Sequence, residues 1–178
     1  MNKISPADLT IIPLDKVPLD SVQGFSCGNP LIDAYLKTEF KALYDHKIGI
    51  ASTNIVLFED IVVGFFTASC TQVKVPEVDN SIGISTLYVP AIEVKFLAVS
   101  ENYHRRGIGK IILSLIVSQA YEFSTIFACR YIFLWSVPES GALNLYTSHF
   151  FIDTGTENND GSHLMMFQLP EDIEVDEY

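Results

Sequence analysis

Residues 91–120, AIEVKFLAVSENYHRRGIGKIILSLIVSQA, constrain this chain more than any other segment. A strand-like alternation runs into a turn carrying Arg105, Arg106 and Gly107-Ile108-Gly109. A helix from Gly107 to about Phe123 follows at once, with Ile108, Ile111, Ile112, Leu115 and Ile116 as its apolar side. A strand that hands directly to an amphipathic helix calls for a sheet with that helix packed on it. The turn between them suits a diphosphate. Glycines let the backbone come close, and the helix start offers unpaired N–H groups and the positive end of its dipole.

The remaining elements surround this unit. Leu9 to Leu14 alternates loosely as a first strand. Asn29 is a good N-cap and Pro30 sits where a missing N–H is harmless, so a helix is predicted to about Tyr44. Ile32, Tyr35, Leu36, Phe40 and Leu43 would form its buried face. Asn54–Phe58 and Ile61–Cys70, broken by Glu59-Asp60, predict a hairpin. Val73–Gly83 reads as a loop, and Ser85–Val99 as a strand with Pro90 at an edge or a bulge. Alternation through that strand puts Glu93, Lys95, Leu97 and Val99 on one face and Val94, Phe96 and Ala98 on the other.

Arg130–Val137 is almost continuously apolar and so predicts a central strand. A short helix over Gly141–His149 comes next. Phe150–Asp153 and Leu164–Leu169 then make a closing pair around a turn at Asn158–Gly161. The order β-α-ββ-β-α-β-α-ββ implies one mixed sheet flanked by helices, in the α/β (α+β) class, and the 178 residues suit one domain.

Charge narrows the partners. The formal balance is −11, yet beyond Arg130 there is no Lys or Arg, and nine acidic residues lie there. The end, residues 171–178, reads as a solvated acidic tail. A general affinity for nucleic acid is not expected from such a balance, although a basic face on the first two thirds stays open. No stretch reaches the roughly 20 apolar residues of a membrane helix, and the first residues do not resemble a signal peptide. Cys27, Cys70 and Cys129 are widely spaced and read as buried free thiols, which places the chain in the cytoplasm. His46, His104, His149 and His163 are scattered without ligand spacing, so no metal is expected.

LAVSENYHRRGIGKIIL resembles the acyl-CoA signature of the GNAT superfamily of N-acetyltransferases, a strand followed by Q/R-x-x-G-x-G/A and a helix. ALNLYTSHFF is similar to that family's A-x-x-L-Y-x-x-x-G-F segment. FSCGNPLIDAYLK resembles a subgroup that includes toxins of toxin–antitoxin pairs, described as acetylating the amino group of aminoacylated tRNA. Three positions depart from the pattern: His104 for Gln or Arg, Glu139 for Asn, and Phe150 for Gly.

The resemblance implies a mixed, mostly antiparallel sheet and acetyl-CoA as co-substrate. It implies that His104, Arg105, Arg106, Gly107, Ile108, Gly109 and Lys110 hold the diphosphate, and that the backbone of Leu97, Ala98 and Val99 holds the pantetheine arm. Tyr146 would protonate the departing thiolate, and Glu93 could serve as general base. The acceptor would be the amine of a small molecule, a peptide or an aminoacyl-tRNA, in a pocket built from Tyr44–Ile50 and Val73–Tyr88. An antitoxin partner and a homodimer belong to the same expectation. The alternative from another class is an acyl-CoA-binding module without turnover.

Overall fold

The computed structural model describes residues 3–74, 88–137 and 141–170. Seven strands form one sheet: β1 (Leu9–Pro13), β2 (Ser52–Phe58), β3 (Ile61–Lys74), β4 (Tyr88–Val99), β5 (Tyr131–Ser136), β6 (Ile152–Glu157) and β7 (His163–Gln168). Their order is β1-β2-β3-β4-β5-β7-β6, with every pairing antiparallel except β4–β5. A parallel neighbour needs a crossover, and helix α4 (Ile108–Ser124) supplies it. The β2–β3 hairpin turns on Glu59 and Asp60 at φ 50° and 62°, both left-handed, as a two-residue loop matched to strand twist requires. The expected hairpin is present and β3 runs on to Lys74; Pro76, Asp79 and Gly83 of the predicted loop lie outside the described residues.

Each face of the sheet has its own core. On the α4 side, Ile112, Leu113 and Ile116 pack against Val63, Val94, Ile132 and Met165. On the other side, Leu14, Val22, Phe25, Leu36, Ile55, Phe65 and Ala98 pack together with the short helix α1 (Leu19–Val22) and helix α2 (Pro30–Lys37). Asn29 caps α2 as its sequence predicts, its Oδ1 accepting from the N–H groups of Leu31 and Ile32. The helix is shorter than predicted. Thr38 is extended (φ −88°, ψ 123°), and a π-helical turn at Glu39–Leu43 leads into α3 (Tyr44–Lys47). That interruption resets the helical phase, so Phe40 stands 77% exposed and Ala42 is buried in its place.

Three further expectations need correction. Pro90 lies neither at the sheet edge nor at a bulge. It pairs with Gln72 of β3, and its carbonyl accepts from the Arg130 N–H. Its missing donor therefore faces β5 just before the parallel ladder starts at Ala91, where no bond is lost. The thiols are not uniformly buried: Cys70 is exposed on β3, and Cys27 and Cys129 are half-buried. The alternation of β4 is broken as well. Thr67 pairs with Phe96 and Ala68 with Val94, which leaves Lys95 as an extra residue in a bulge. One inserted residue exchanges the faces. Val94, Leu97 and Val99 thus share the α4 side, while Phe96 and Ala98 face the other core. Glu93, next to Val94, lies on the face opposite Leu97 and Val99.

Candidate active site

Two cavities adjoin at the C-terminal end of β4. The first, of about 540 Å³, is a cradle between Val99, the turn after it and the start of α4, closed by Gly141, Ala142 and Leu145. Gly107 stands at φ 91° and Arg105 at φ 61°. A left-handed arginine is costly, and such strain gathers where a backbone is held for a ligand. A Cβ on Gly109 would reach 3.4 Å from Leu145 Cδ2 and 3.8 Å from Val99 Cγ2, narrowing the gap between them. The cradle thus combines a strained turn, a helix start and a floor without side chains. Those features fit a diphosphate.

The sequence-predicted residues divide here. His104, Arg105, Gly107, Ile108 and Gly109 line the cradle; Arg106 and Lys110 are not among its lining. The Arg106 guanidinium lies over the Tyr103 ring at 4.8 Å, its Nε is buried without a partner among the described residues, and its carbonyl accepts from the Ile4 N–H at 3.1 Å. The His104 Nε2 lies 2.9 Å from the Val99 carbonyl, so that nitrogen carries the hydrogen. His104 thereby ties the turn back to the end of β4.

The second cavity, of about 370 Å³, opens where β4 and β5 part. Their ladder ends at Glu93–Phe133, and beyond it residues 94–97 and 134–137 line the two walls. Asn29 and Ile32 of α2 reach in from one side. Ala142 and Tyr146 come from the other, on helix α5 (Leu143–Thr147). Ala142 lines both cavities, so they lie side by side. Ser100 donates from its N–H to Val63 of β3. By alternation Ala98 and Phe96 also bond toward β3, and the backbone groups of Leu97 and Val99 point to the open side.

Tyr146 is buried, at 8% exposure, and removal from water alone pushes its hydroxyl up to about 12. Phe150, at the position where the motif has glycine, adopts φ 65°. The glycine-like path is therefore kept by a phenylalanine. Glu93 is absent from the lining and sits at the closed end of the splay. Residues predicted for the acceptor pocket lie elsewhere: His46, Gly49 and Ile50 line a separate cavity of about 530 Å³ under the C-terminal half of α4. Residues 75–87 and Glu139 lie outside the described residues.

Sequence reasoning missed the Lys95 bulge, the reach of α2 into the splay, and Ser136. It also left Ser26, Gly28 and Asp33 of FSCGNPLID without a physical role, which the fold supplies. The Ser26 hydroxyl lies 3.1 Å from Asp33 Oδ2 and 2.9 Å from Glu101 Oε2, and the Glu101 N–H donates to the Ser26 carbonyl. Gly28, at φ 86°, leaves room for Glu101: a Cβ there would be 3.0 Å from Oε1. This brace pins the start of α2 to the residue that opens the cradle turn.

Comparison with known proteins agrees with this geometry. The acetyltransferase (GNAT) family profile matches residues 30–150. Among solved structures, a tyrosine-to-phenylalanine mutant of KacT is similar with a TM-score of 0.75 at 18% identity, covering 91% of this chain and 95% of that one. AtaT complexed with acetyl-methionyl-tRNAfMet gives 0.76 at 20% identity, with 90% and 95% covered. An AtaT mutant toxin bound to acetyl-CoA and the C-terminus of the antitoxin AtaR gives 0.70 at 17% identity, with 91% and 94% covered. At these identities the likeness is one of fold.

Proposed function

The chain belongs to the acetyltransferase (GNAT) family, and on that premise we propose that it carries the acetyl group of acetyl-CoA directly to the α-amine of an aminoacyl-tRNA. The observation that carries this reading is the lining of the splay. Among its described residues there is no carboxylate and no histidine, and Lys95 is the one formally charged group. A lysine-like amine, near 10.4, is neutral in only about one molecule in 2,500 at pH 7. An α-amine near 7.7 is neutral in about one in six, and it needs no dedicated base. A site without a base suits the second.

In this reading the cradle holds the diphosphate through Arg105, the backbone from His104 to Gly109 and the α4 dipole, with Arg106 and Lys110 adding field from outside the lining. The pantetheine arm passes Ala142 into the splay, between Tyr146 and the open side of Leu97 and Val99. The neutral amine attacks the thioester carbonyl, and a backbone N–H on that open side stabilises the oxyanion. Collapse breaks the carbon–sulfur bond, Tyr146 gives its proton to sulfur, and the product nitrogen sheds the proton that restores the phenol. Burial raises the basicity of a thiolate as it raises the phenol, so the two stay matched inside the cavity. Glu93, at the closed end, plays no required part.

The fold shared with AtaT, solved with an antitoxin segment and with acetyl-methionyl-tRNAfMet, supports an antitoxin partner. The net charge of −11 opposes a general affinity for tRNA, so charged tRNA would be held by local basic contacts from the first two thirds of the chain. The test is thiol release from acetyl-CoA against amines, peptides and aminoacyl-tRNA at low salt. Release is expected with charged tRNA and to survive Glu93→Gln. No release with charged tRNA, or a loss of about 10²-fold in Glu93→Gln, would overturn the acceptor.

A further inference from the structure

Ser136 is the last residue of β5, in the run Tyr131-Ile-Phe-Leu-Trp-Ser136. It is 2% exposed, and its Oγ has no hydrogen-bond partner among the described residues. Buried hydroxyls are nearly always paired, because one removed from water without a partner destabilises the fold. A serine kept in such a place calls for an account of what it bonds.

Alternation along β5 gives its direction. Ile132 and Leu134 pack in the α4-side core, and Tyr131 and Phe133 in the cluster on the opposite face. Ser136 is in phase with Ile132 and Leu134. It therefore stands on the α4 side, the side of Tyr146, and both residues line the splay. The neighbouring lining on that side is Val94, Leu97, Leu134 and the methyl of Ala142, none of which has a side chain able to pair a hydroxyl. A polar group brought by a ligand would.

We propose that Ser136 binds the acyl donor, its hydroxyl hydrogen-bonding an amide of the pantetheine arm as the arm crosses the splay. This rests on the reading of the splay as the acetyl-CoA site. The thioester carbonyl is met by the β4 backbone and the sulfur by Tyr146; of the arm's remaining polar groups, the two amides lie nearer the thioester, and the pantoyl hydroxyl lies toward the diphosphate. An amide offers both a donor and an acceptor, and a hydroxyl can answer either. Ser136 is thus a cofactor-contacting residue on the wall opposite the β4 backbone.

The experiment compares wild type with Ser136→Ala, measuring thermal stability without ligand and affinity for two ligands: acetyl-CoA, and adenosine 3′,5′-bisphosphate, which lacks the arm. The expected result has three parts. The free variant melts at or above the wild-type temperature, because an unpaired hydroxyl has gone. The acetyl-CoA Kd and KM rise roughly 5- to 15-fold with kcat little changed, the loss of one hydrogen bond. Binding of adenosine 3′,5′-bisphosphate stays the same. A free variant that melts lower or fails to fold, an unchanged acetyl-CoA Kd, or an equal loss for both ligands would each overturn the assignment. Wild type that fails to bind acetyl-CoA would overturn the acetyltransferase reading itself, and this assignment with it.

Discussion

Tyr146 and Phe151 are joined twice: the Phe151 N–H donates to the Tyr146 carbonyl at 3.1 Å, and their ring centroids lie 6.0 Å apart. Between them the Phe150 N–H donates to the Thr147 carbonyl, and Phe150 takes φ 65°. These are the two backbone bonds and the apolar contact of a Schellman ending. A helix of five residues has little rigidity of its own. The ending supplies it, and so fixes Tyr146, a residue of the splay lining.

Replacing Tyr146 by Phe removes the proposed acid and leaves the ring packing intact. Turnover should fall by roughly 10²- to 10⁴-fold while the acetyl-CoA Kd stays near wild type, as read by thiol release and calorimetry. An unchanged rate would remove Tyr146 from the mechanism.

The same variant has a signature in alkali. Burial holds the folded hydroxyl at about 12, above the ordinary 10.0 of the unfolded chain. A group raised in this way contributes stability that is complete below pH 10 and is lost as pH climbs toward 12. Urea melts of Tyr146→Phe should therefore decline less steeply than wild type across that window. Parallel curves would contradict the burial argument.

Phe150→Gly should stabilise the protein. The side chain is 82% exposed, so little burial is lost, and the left-handed backbone is one that glycine adopts freely. A gain of about 1 kcal/mol, or a Tm higher by about 2–4 °C, is the expected result in a thermal melt.

Gly64 is under the opposite constraint. A Cβ there would lie 2.8 Å from the Ala98 carbonyl and 3.2 Å from Ile112 Cδ1. Gly64→Ala must push β4 away from β3 or α4 off the sheet, at a cost of about 1–3 kcal/mol. Because β4 is also a wall of the splay, turnover should drop with stability. A urea melt and kcat/KM on the same preparation check both.

The two neighbouring arginines should separate. Arg105 lines the cradle, so Arg105→Ala is expected to raise the acetyl-CoA KM about tenfold or more. Arg106 packs on Tyr103, so Arg106→Ala should lower the melting temperature with a smaller change in KM. Equal KM effects would place both on the diphosphate.

Thiol labelling tests direct transfer. Burial, opposed by the Asn29 backbone bond and reinforced by Asp33, pushes Cys27 up to about 11, and burial raises Cys129 as well. Exposed Cys70 should react first with a thiol reagent at pH 8. Single modification there should leave turnover intact, since Cys70 does not line the splay. Inactivation would point to an acetyl-cysteine route.

Local signals were strong enough to reveal most elements. The Glu59-Asp60 hairpin, the Asn29 cap, the strand–glycine–helix unit and the apolar run of β5 each rest on neighbours in sequence, and each stands in the structure. The same locality explains the errors. A helical phase carried across Thr38 puts Phe40 on the buried face, and nothing in the residue types there announces an extended backbone. The faces of β4 were exchanged by a bulge set by pairing with Thr67 and Ala68, residues nearly thirty positions upstream.

For the site, the division follows the same line. Sequence alone pointed to the turn of the cradle, because that part lies in contiguous residues: a turn in left-handed backbone and the first N–H groups of α4. It also singled out Tyr146 through its motif. Only the tertiary structure decided what surrounds that tyrosine. The splay exists because β4 and β5 part after Glu93–Phe133, and its lining draws on α2, β4, β5 and α5. Whether a side chain such as Ser136 finds a partner or faces an opening depends on which strand stops pairing first. That is a property of the assembled sheet, and no single segment encodes it.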